Sequence, residues 1–365
     1  MELLPVAIDV SADQPDRVKN AGMAFRSLAS TTKTQRRTYI TWSTILTILL
    51  CLSGGCYFIL SLSCWSLFGV FLLAEGMILS WYLRHDCCHL LAFQRKKHNV
   101  VLGEILSCIT GELQSPFTEY RRAHLRHHSD QVDLVGVDLH HMLESYPRWA
   151  RSAVLLLESA YIPIIFLLVR VANIWSELNA SGGSRVRAVC AIAIYSLVYG
   201  TVGALSPVSL LLYLFAVIIR IHCLRFVDAY QHTYHRVSGD GQIKSQGWTY
   251  EQRNTFSFPI AKNYTFLNLL ILNFGFHNAH HASPTCPWYR LPKLDKALRQ
   301  SWQLSDQEIR DPSPRGQIGI GLLLKSYHRD RVRRITDSDS GMAYGLNDRF
   351  SMEAFRGAFT DNLLG

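Results

Sequence analysis

The 365-residue sequence predicts an all-α integral-membrane protein in which two transmembrane helical hairpins carry a cytosolic, histidine-rich helical cap. Three observations lead there. Hydrophobic residues make up 48% of the chain at a mean hydropathy of +0.08, a balance that leans towards a membrane protein. These residues are segregated into runs at 39–60, 65–84 and 188–222 that are almost free of charge, separated by stretches dense in Arg, Lys, Asp and His. In those polar stretches, eight of the fifteen histidines gather in three tight clusters near 85, 126 and 279.

Residues 1–38 form a polar N-terminal segment, with Asp9, Asp13 and Asp16 ahead of any apolar stretch, so no signal peptide is expected and the first span directs insertion. A helix needs about 20 apolar residues to cross the hydrocarbon core. The runs 39–60 and 65–84 both qualify and read as one hairpin. The run 188–222 is too long for one helix and breaks at Ser206-Pro207, giving a second hairpin with arms at about 188–204 and 207–224. The stretch 153–171 is long enough to span but contains Glu158, Pro163 and Arg170. Parity decides its place: if the three histidine clusters share one side, an even number of crossings separates His128 from His277, and the second hairpin already supplies two. Residues 153–171 are therefore expected to lie in the interface or re-enter. The membrane domain is expected over 39–300, and the polar remainder, 301–365, as a cytosolic tail.

The net charge of +9 comes from basic residues at the ends of the apolar runs: Lys33, Arg36 and Arg37 before the first, Arg84 closing the second, Arg185 and Arg187 opening the last. The connections 61–64 and 203–208 carry no charge. This asymmetry places the basic side, with the histidines, in the cytoplasm of a bacterial inner membrane or on the cytoplasmic face of the endoplasmic reticulum. It also excludes a nucleic-acid surface, which would need a basic stripe interleaved with exposed aromatics. Nine cysteines show no disulfide framework.

The first cluster is His85-Asp-Cys-Cys-His89, whose i, i+4 spacing puts both imidazoles on one helical face. Cys87 and Cys88 turn away from that face and read as packing residues. The second, His124-Leu-Arg-His127-His128, and the third, His277-Asn-Ala-His280-His281, each offer i, i+3 and i+4, so one turn can serve two metals. Eight such nitrogens exceed the four that one tetrahedral zinc uses and suit a pair of metals, with iron favoured for a membrane-embedded site with open positions. A single histidine at a helix end is more often an ordinary polar residue. Three clusters together reverse that reading, whereas His98, His140, His141 and His328 lack partners at helical spacing and stay outside it. Asp86, Asp130 and Asn273 stand where they could orient imidazoles. Glu75, about 15 Å up the helix from His85, is an intramembrane acid suited to an interhelical hydrogen bond or a polar spot in a substrate tunnel.

The pattern HDCCH, HLRHH and HNAHH resembles the membrane fatty-acid desaturase and hydroxylase superfamily, over roughly residues 40–300. The resemblance implies two iron ions, O₂ as co-substrate, a lipid or fatty-acyl substrate in a tunnel between four helices, and electrons from a separate ferredoxin or cytochrome b5. The HDxxH and HxxHH boxes are closer to acyl-lipid and bacterial desaturases than to the animal acyl-CoA type. Animal members take a ninth histidine from the end of the last span, four residues after an Asn that holds a metal-bound water. Here Asp228 stands four before His232, which makes His232 the first choice as ninth ligand, ahead of His235 and His222; the Asp in place of Asn departs from that pattern, and a salt bridge to Arg225 is its plainer role.

A fatty-acyl desaturase is the leading expectation. Terminal-alkene formation from free fatty acids, with Arg121, Arg122 or Arg126 as a carboxylate clamp, and hydroxylation or ketolation of lipids or carotenoids, share the same first hydrogen abstraction. A non-catalytic membrane binding protein is the third class, disfavoured by the intact boxes.

Overall fold

The computed structural model describes residues 34–135, 139–229, 231–232, 234–238, 247–261, 265–304, 324–325, 327–328 and 332. Most of the expected N-terminal segment and most of the expected tail lie outside them. The chain is mostly helical, and four helices are long and apolar enough to cross a membrane, consistent with a multi-pass integral membrane protein.

Helix α1 (Thr34–Leu60) and α2 (Ser66–Cys88) form the first hairpin. They cross where Gly55 meets Gly69: a Cβ on Gly69 would stand 2.7 Å from Phe58 Cβ and 2.9 Å from the Gly55 carbonyl oxygen. Backbones this close need glycine. Helix α3 (Lys96–Ile109) follows the first cluster and α4 (Phe117–Asp130) carries the second. After α5 (Leu139–Glu144), the stretch 153–171 proves to be parts of two helices, α6 (Arg148–Ser159) and α7 (Ile164–Asn179), bent by 120° at a break before Pro163. Glu158 stabilises the bend: its carboxylate accepts the Ile165 backbone N–H at 2.8 Å and pairs with buried Arg225 at 3.1 Å. The second hairpin is α8 (Gly183–Leu205) and α9 (Pro207–Asp228), divided as Ser206-Pro207 predicts, with the Ser206 side chain accepting the Ser209 N–H at 3.2 Å and proline in the first turn. These helices run longer than the apolar runs, because the polar residues at their ends continue the helix beyond the hydrocarbon.

Helix α2 is central and buried along most of its length, packed on α1, α3 and α9. Tyr39, Trp42, Leu46 and Leu50 of α1, Leu197 and Leu205 of α8 and Leu211 and Phe215 of α9 face outward, as lipid-facing residues do. The all-helical expectation needs one correction. Strands β1 (Val132–Val135) and β2 (His235–Ser238) pair in parallel, Val132 beside His235. Gln131, at φ 51°, ends α4 in the left-handed region and turns the chain into β1. The rest of the cap is α10 (Trp248–Asn254), a 3₁₀ turn (Thr265–Ile271), α11 (His277–Ala282) and α12 (Leu291–Leu304).

Candidate metal centre

Four segments bring nine histidines together. His85 and His89 leave the end of α2, His124, His127 and His128 project from α4, His277, His280 and His281 fill α11, and His232 comes from the segment after α9, where it bridges to Thr255. Helical spacing sorts them into two adjacent groups. His85, His89, His124, His128 and His280 form one, with ligand atoms all within 4.8 Å of one another, and His127, His232, His277 and His281 form the other. Both α4 and α11 therefore contribute to both groups.

The nitrogens face inward at metal-ligand spacing. In the first group, Nε2 of His124 lies 2.8 Å from that of His89 and 3.2 Å from that of His128, which is 3.1 Å from His280 Nε2. In the second, His232 Nε2 is 2.7 Å from His277 Nε2 and 3.2 Å from His127 Nε2. Imidazole nitrogens about 2.0–2.1 Å from a shared ion sit about 2.9–3.4 Å apart. Hydrogen bonds among the rings do not satisfy them, since a neutral imidazole has one N–H. His85 Nε2, His128 Nδ1 and His281 Nε2 are buried without a partner. Both groups could hold a metal ion.

Burial and the neighbouring imidazoles keep the lone pairs available. Desolvation pushes His89 down to about 3, and desolvation followed by the adjacent histidines holds His124, His128, His280 and His281 well below the ordinary imidazole range, as it does His277. Phe274 closes one side, its ring 4.7 Å from those of His85 and Tyr82 and 4.8 Å from that of His277.

Left-handed residues border each cluster: Leu90 after the first, Gln131 after the second, Leu272 and Asn273 before the third. Such conformations cost about 1–2 kcal/mol each for a non-glycine residue and persist where surroundings over-determine them. At Leu90 the determinant is Arg37 of α1, which donates to the carbonyls of Leu90, Leu91 and Phe93, while Thr41 donates to Ala92 O at 2.7 Å.

The residues expected to support the imidazoles are placed differently. Asp86 accepts the Trp288 backbone N–H and sits beside Arg37, tying the first cluster to the segment after the third. Asp130 is engaged by Arg126 at 2.9 Å and Ser129 at 2.8 Å, because its i, i+4 arginine is nearer than His128. Asn273 donates to Trp288 O at 3.3 Å and leaves Oδ1 buried and unpartnered, one turn before His277. Asp228 ends α9 near Tyr82 and Tyr120, and Arg225 turns to Glu158 instead. His222 is remote, engaging Tyr161 O and Tyr327 Oη. The side chains of His235, His140 and His141 lie outside the described residues. Arg121 donates to Cys88 O at 2.8 Å and Arg126 to Asp130, so neither is a free carboxylate clamp. Cys87 and Cys88 are packed in the core, and Glu75 is half-buried on α2, near Cys51 and Cys223.

Glu251 escaped the sequence reading. Its Oε1 lies 3.0 Å from His281 Nδ1, and burial raises its carboxyl above the ordinary carboxylate range. The carboxylate is also within reach of a third overlapping group with His128 and His281. No spacing in Trp248-Thr-Tyr-Glu251 signals this, since the partner stands thirty residues away.

The family described as fatty acid desaturase matches residues 62–313. The chain is 26% identical over 234 residues to a fatty acid desaturase of Bacillus subtilis (strain 168), covering 57% of this chain and 60% of that protein. It is 21% identical over 310 residues to a chloroplastic sn-2 acyl-lipid omega-3 desaturase (ferredoxin) of Helianthus annuus, covering 79% of this chain and 68% of that one. The chain thus spans less than two thirds of the Bacillus protein's length. With a match that takes in all nine clustered histidines, the chain belongs to the fatty acid desaturase family.

Proposed function

We propose that this protein is an O₂-dependent di-iron oxidoreductase that introduces a C=C bond into a fatty-acyl chain. One observation carries the reading: two adjacent sets of inward-facing imidazole nitrogens, five and four, with no carboxylate required to complete either. His85, His89, His124, His128 and His280 would hold one iron, and His127, His232, His277 and His281 the other. Iron bound there supplies an O₂-derived oxidant able to remove hydrogen from an unactivated methylene, which no side chain can do.

The chain's own residues set the conditions. Depressed basicity keeps the imidazoles neutral and ligating at physiological pH. Phe274 and Tyr82 exclude water from one flank. Glu251 orients His281 through Nδ1, leaving Nε2 for the metal. Asn273 Oδ1, and Asp228 at the end of α9, are the remaining polar groups proposed to support the centre. Arg36, Arg37 and Arg187 at the histidine-bearing ends of the apolar helices support a cytoplasmic orientation of this face by the positive-inside rule, where an acidic donor of the ferredoxin or cytochrome b5 type would dock. The Helianthus relative's name includes ferredoxin, which supports that class of donor.

The test is expression in a host of defined lipid composition, with product profiling by mass spectrometry and iron content measured on the purified protein. A new unsaturated acyl chain is expected from the wild type and none from His127→Ala. Equal product from the variant would refute the centre; hydroxylated lipid or terminal alkene in place of the unsaturated chain would refute desaturation while leaving the centre standing.

A further inference from the structure

Five charged side chains lie buried at the histidine-bearing end of the helices, outside both histidine groups. Arg84 is fully buried, pairs with Glu112 and rests on the rings of Tyr120, 3.7 Å from its Cζ, and Trp81, 5.0 Å away. Arg225 pairs with Glu158 at 3.1 Å, both nearly inaccessible. Arg220 is different. It is 2% exposed, donates from Nη1 to the Thr110 carbonyl at 3.0 Å, and leaves Nε buried with no partner. Among the described residues no carboxylate lies within ion-pair distance of it. Arg170 approaches the other side of the same region, bonded to Gln114 Oε1 at 3.3 Å, and the guanidinium carbons of Arg170 and Arg220 stand 5.6 and 5.9 Å from the Phe166 ring centre. Among the described residues four guanidinium groups therefore face two carboxylates, Glu112 paired with Arg84 and Glu158 with Arg225.

A buried guanidinium without a counter-charge is costly: the desolvation penalty is several kcal/mol per ion, repaid only by a close opposite charge and satisfied donors. Arg220, Arg225 and Glu112 line a small cavity whose remaining walls include Trp81 and Phe166. It admits an occupant about the size of one water molecule. Guanidinium donors on an apolar-walled space of this size match a weakly hydrated, compact anion.

We propose that this cavity is a binding site for a small monovalent anion, halide or short carboxylate, held by Arg220 and neutralising the excess positive charge among α2, α7 and α9. Arg84, paired with the cavity-lining Glu112, lies one ring from the histidines, since Tyr120, which carries that guanidinium on its face, has its ring centre 6.1 Å from that of His124. An anion here fixes Arg220 and Arg225 against one another, beside the Glu112 that holds Arg84.

The experiment is thermal unfolding of the full-length protein in detergent, in sodium gluconate at fixed ionic strength, with chloride, bromide, formate or sulfate exchanged in. A saturable rise in Tm of about 5 °C at a hundredfold excess over Kd is expected from a monovalent ion. Sulfate should not reproduce it. Response to chloride and bromide assigns a halide, and response to formate alone assigns a carboxylate. In Arg220→Gln the dependence should vanish. Should that variant not fold, bromide soaked into wild-type crystals gives the second readout, an anomalous peak within hydrogen-bond reach of Arg220 Nε. Identical Tm in all salts, an equal rise in folded Arg220→Gln, or bromide absent from the cavity would overturn the proposal.

Discussion

Replacing Glu251 tests how the second histidine group is assembled. His281 has two ring nitrogens with separate duties: Nδ1 faces the Glu251 carboxylate at 3.0 Å, and Nε2 is buried, unpartnered and part of the second group. An ionised carboxylate there accepts Nδ1–H and so selects the tautomer that leaves the Nε2 lone pair for a metal. In Glu251→Ala the Nδ1–H is stranded in a buried site, a penalty of about 1–3 kcal/mol. Loss of such an orienting partner lowers metal affinity about 10–100-fold, which is about 1.4–2.8 kcal/mol at 1.4 kcal/mol per decade, so the two magnitudes agree. Glu251→Gln keeps an acceptor oxygen and should lose less than about tenfold by the same scale. The assay is iron content by mass spectrometry after equilibration with graded chelator. The alanine variant should release iron at lower chelator than the wild type and settle towards one iron per chain, because the first group does not use His281. An alanine variant that retains both irons across the series would refute the orienting role, and one that loses both together would refute the independence of the two groups.

Three further outcomes follow from the structure. Because burial holds His89 near 3 and the other clustered imidazoles well below their usual range, the native state refuses protons that the unfolded chain accepts below about pH 6.5; stability and iron retention should be constant above that pH and fall as it drops, by up to about 1.4 kcal/mol per pH unit per histidine, measured as Tm against pH. Gly69→Leu would drive a side chain into Phe58 and the Gly55 backbone, splaying α1 from α2; a loss of about 1–3 kcal/mol or more is expected as a lower Tm, and an unchanged Tm would mean the hairpin crosses elsewhere. Glu158→Ala strands buried Arg225 and uncaps Ile165, costing about 3–5 kcal/mol, and Arg225→Met added to it should recover part of the lost Tm.

The three clusters were legible because helical ligand spacing is local: His85 and His89, or His277 and His281, need only four intervening steps of chain to share a face. The four apolar helices were legible for a similar reason, as charge-free runs bounded by basic residues. What escaped was everything set by distant packing. Arg37 grips carbonyls beyond the first cluster from another helix, Glu251 meets His281 only after α10 folds beside α11, and the α6–α7 bend depends on Glu158 finding Arg225. Asp86 and Asp130 misled in the opposite direction. Adjacency to a ligand made them look like supports, but neighbours on a helix point to different faces, and each carboxylate went to the nearest basic or amide group instead.

The parallel pairing of Val132–Val135 with His235–Ser238 joins chain made before the second hairpin to chain made after it. Both histidine groups, moreover, draw a member from 277–281. A chain emerging from the ribosome thus inserts all four apolar helices before either group has its full set of nitrogens. On the proposed reading metal loading belongs after synthesis, and a product truncated short of His280 would carry all four apolar helices and two incomplete clusters of imidazoles.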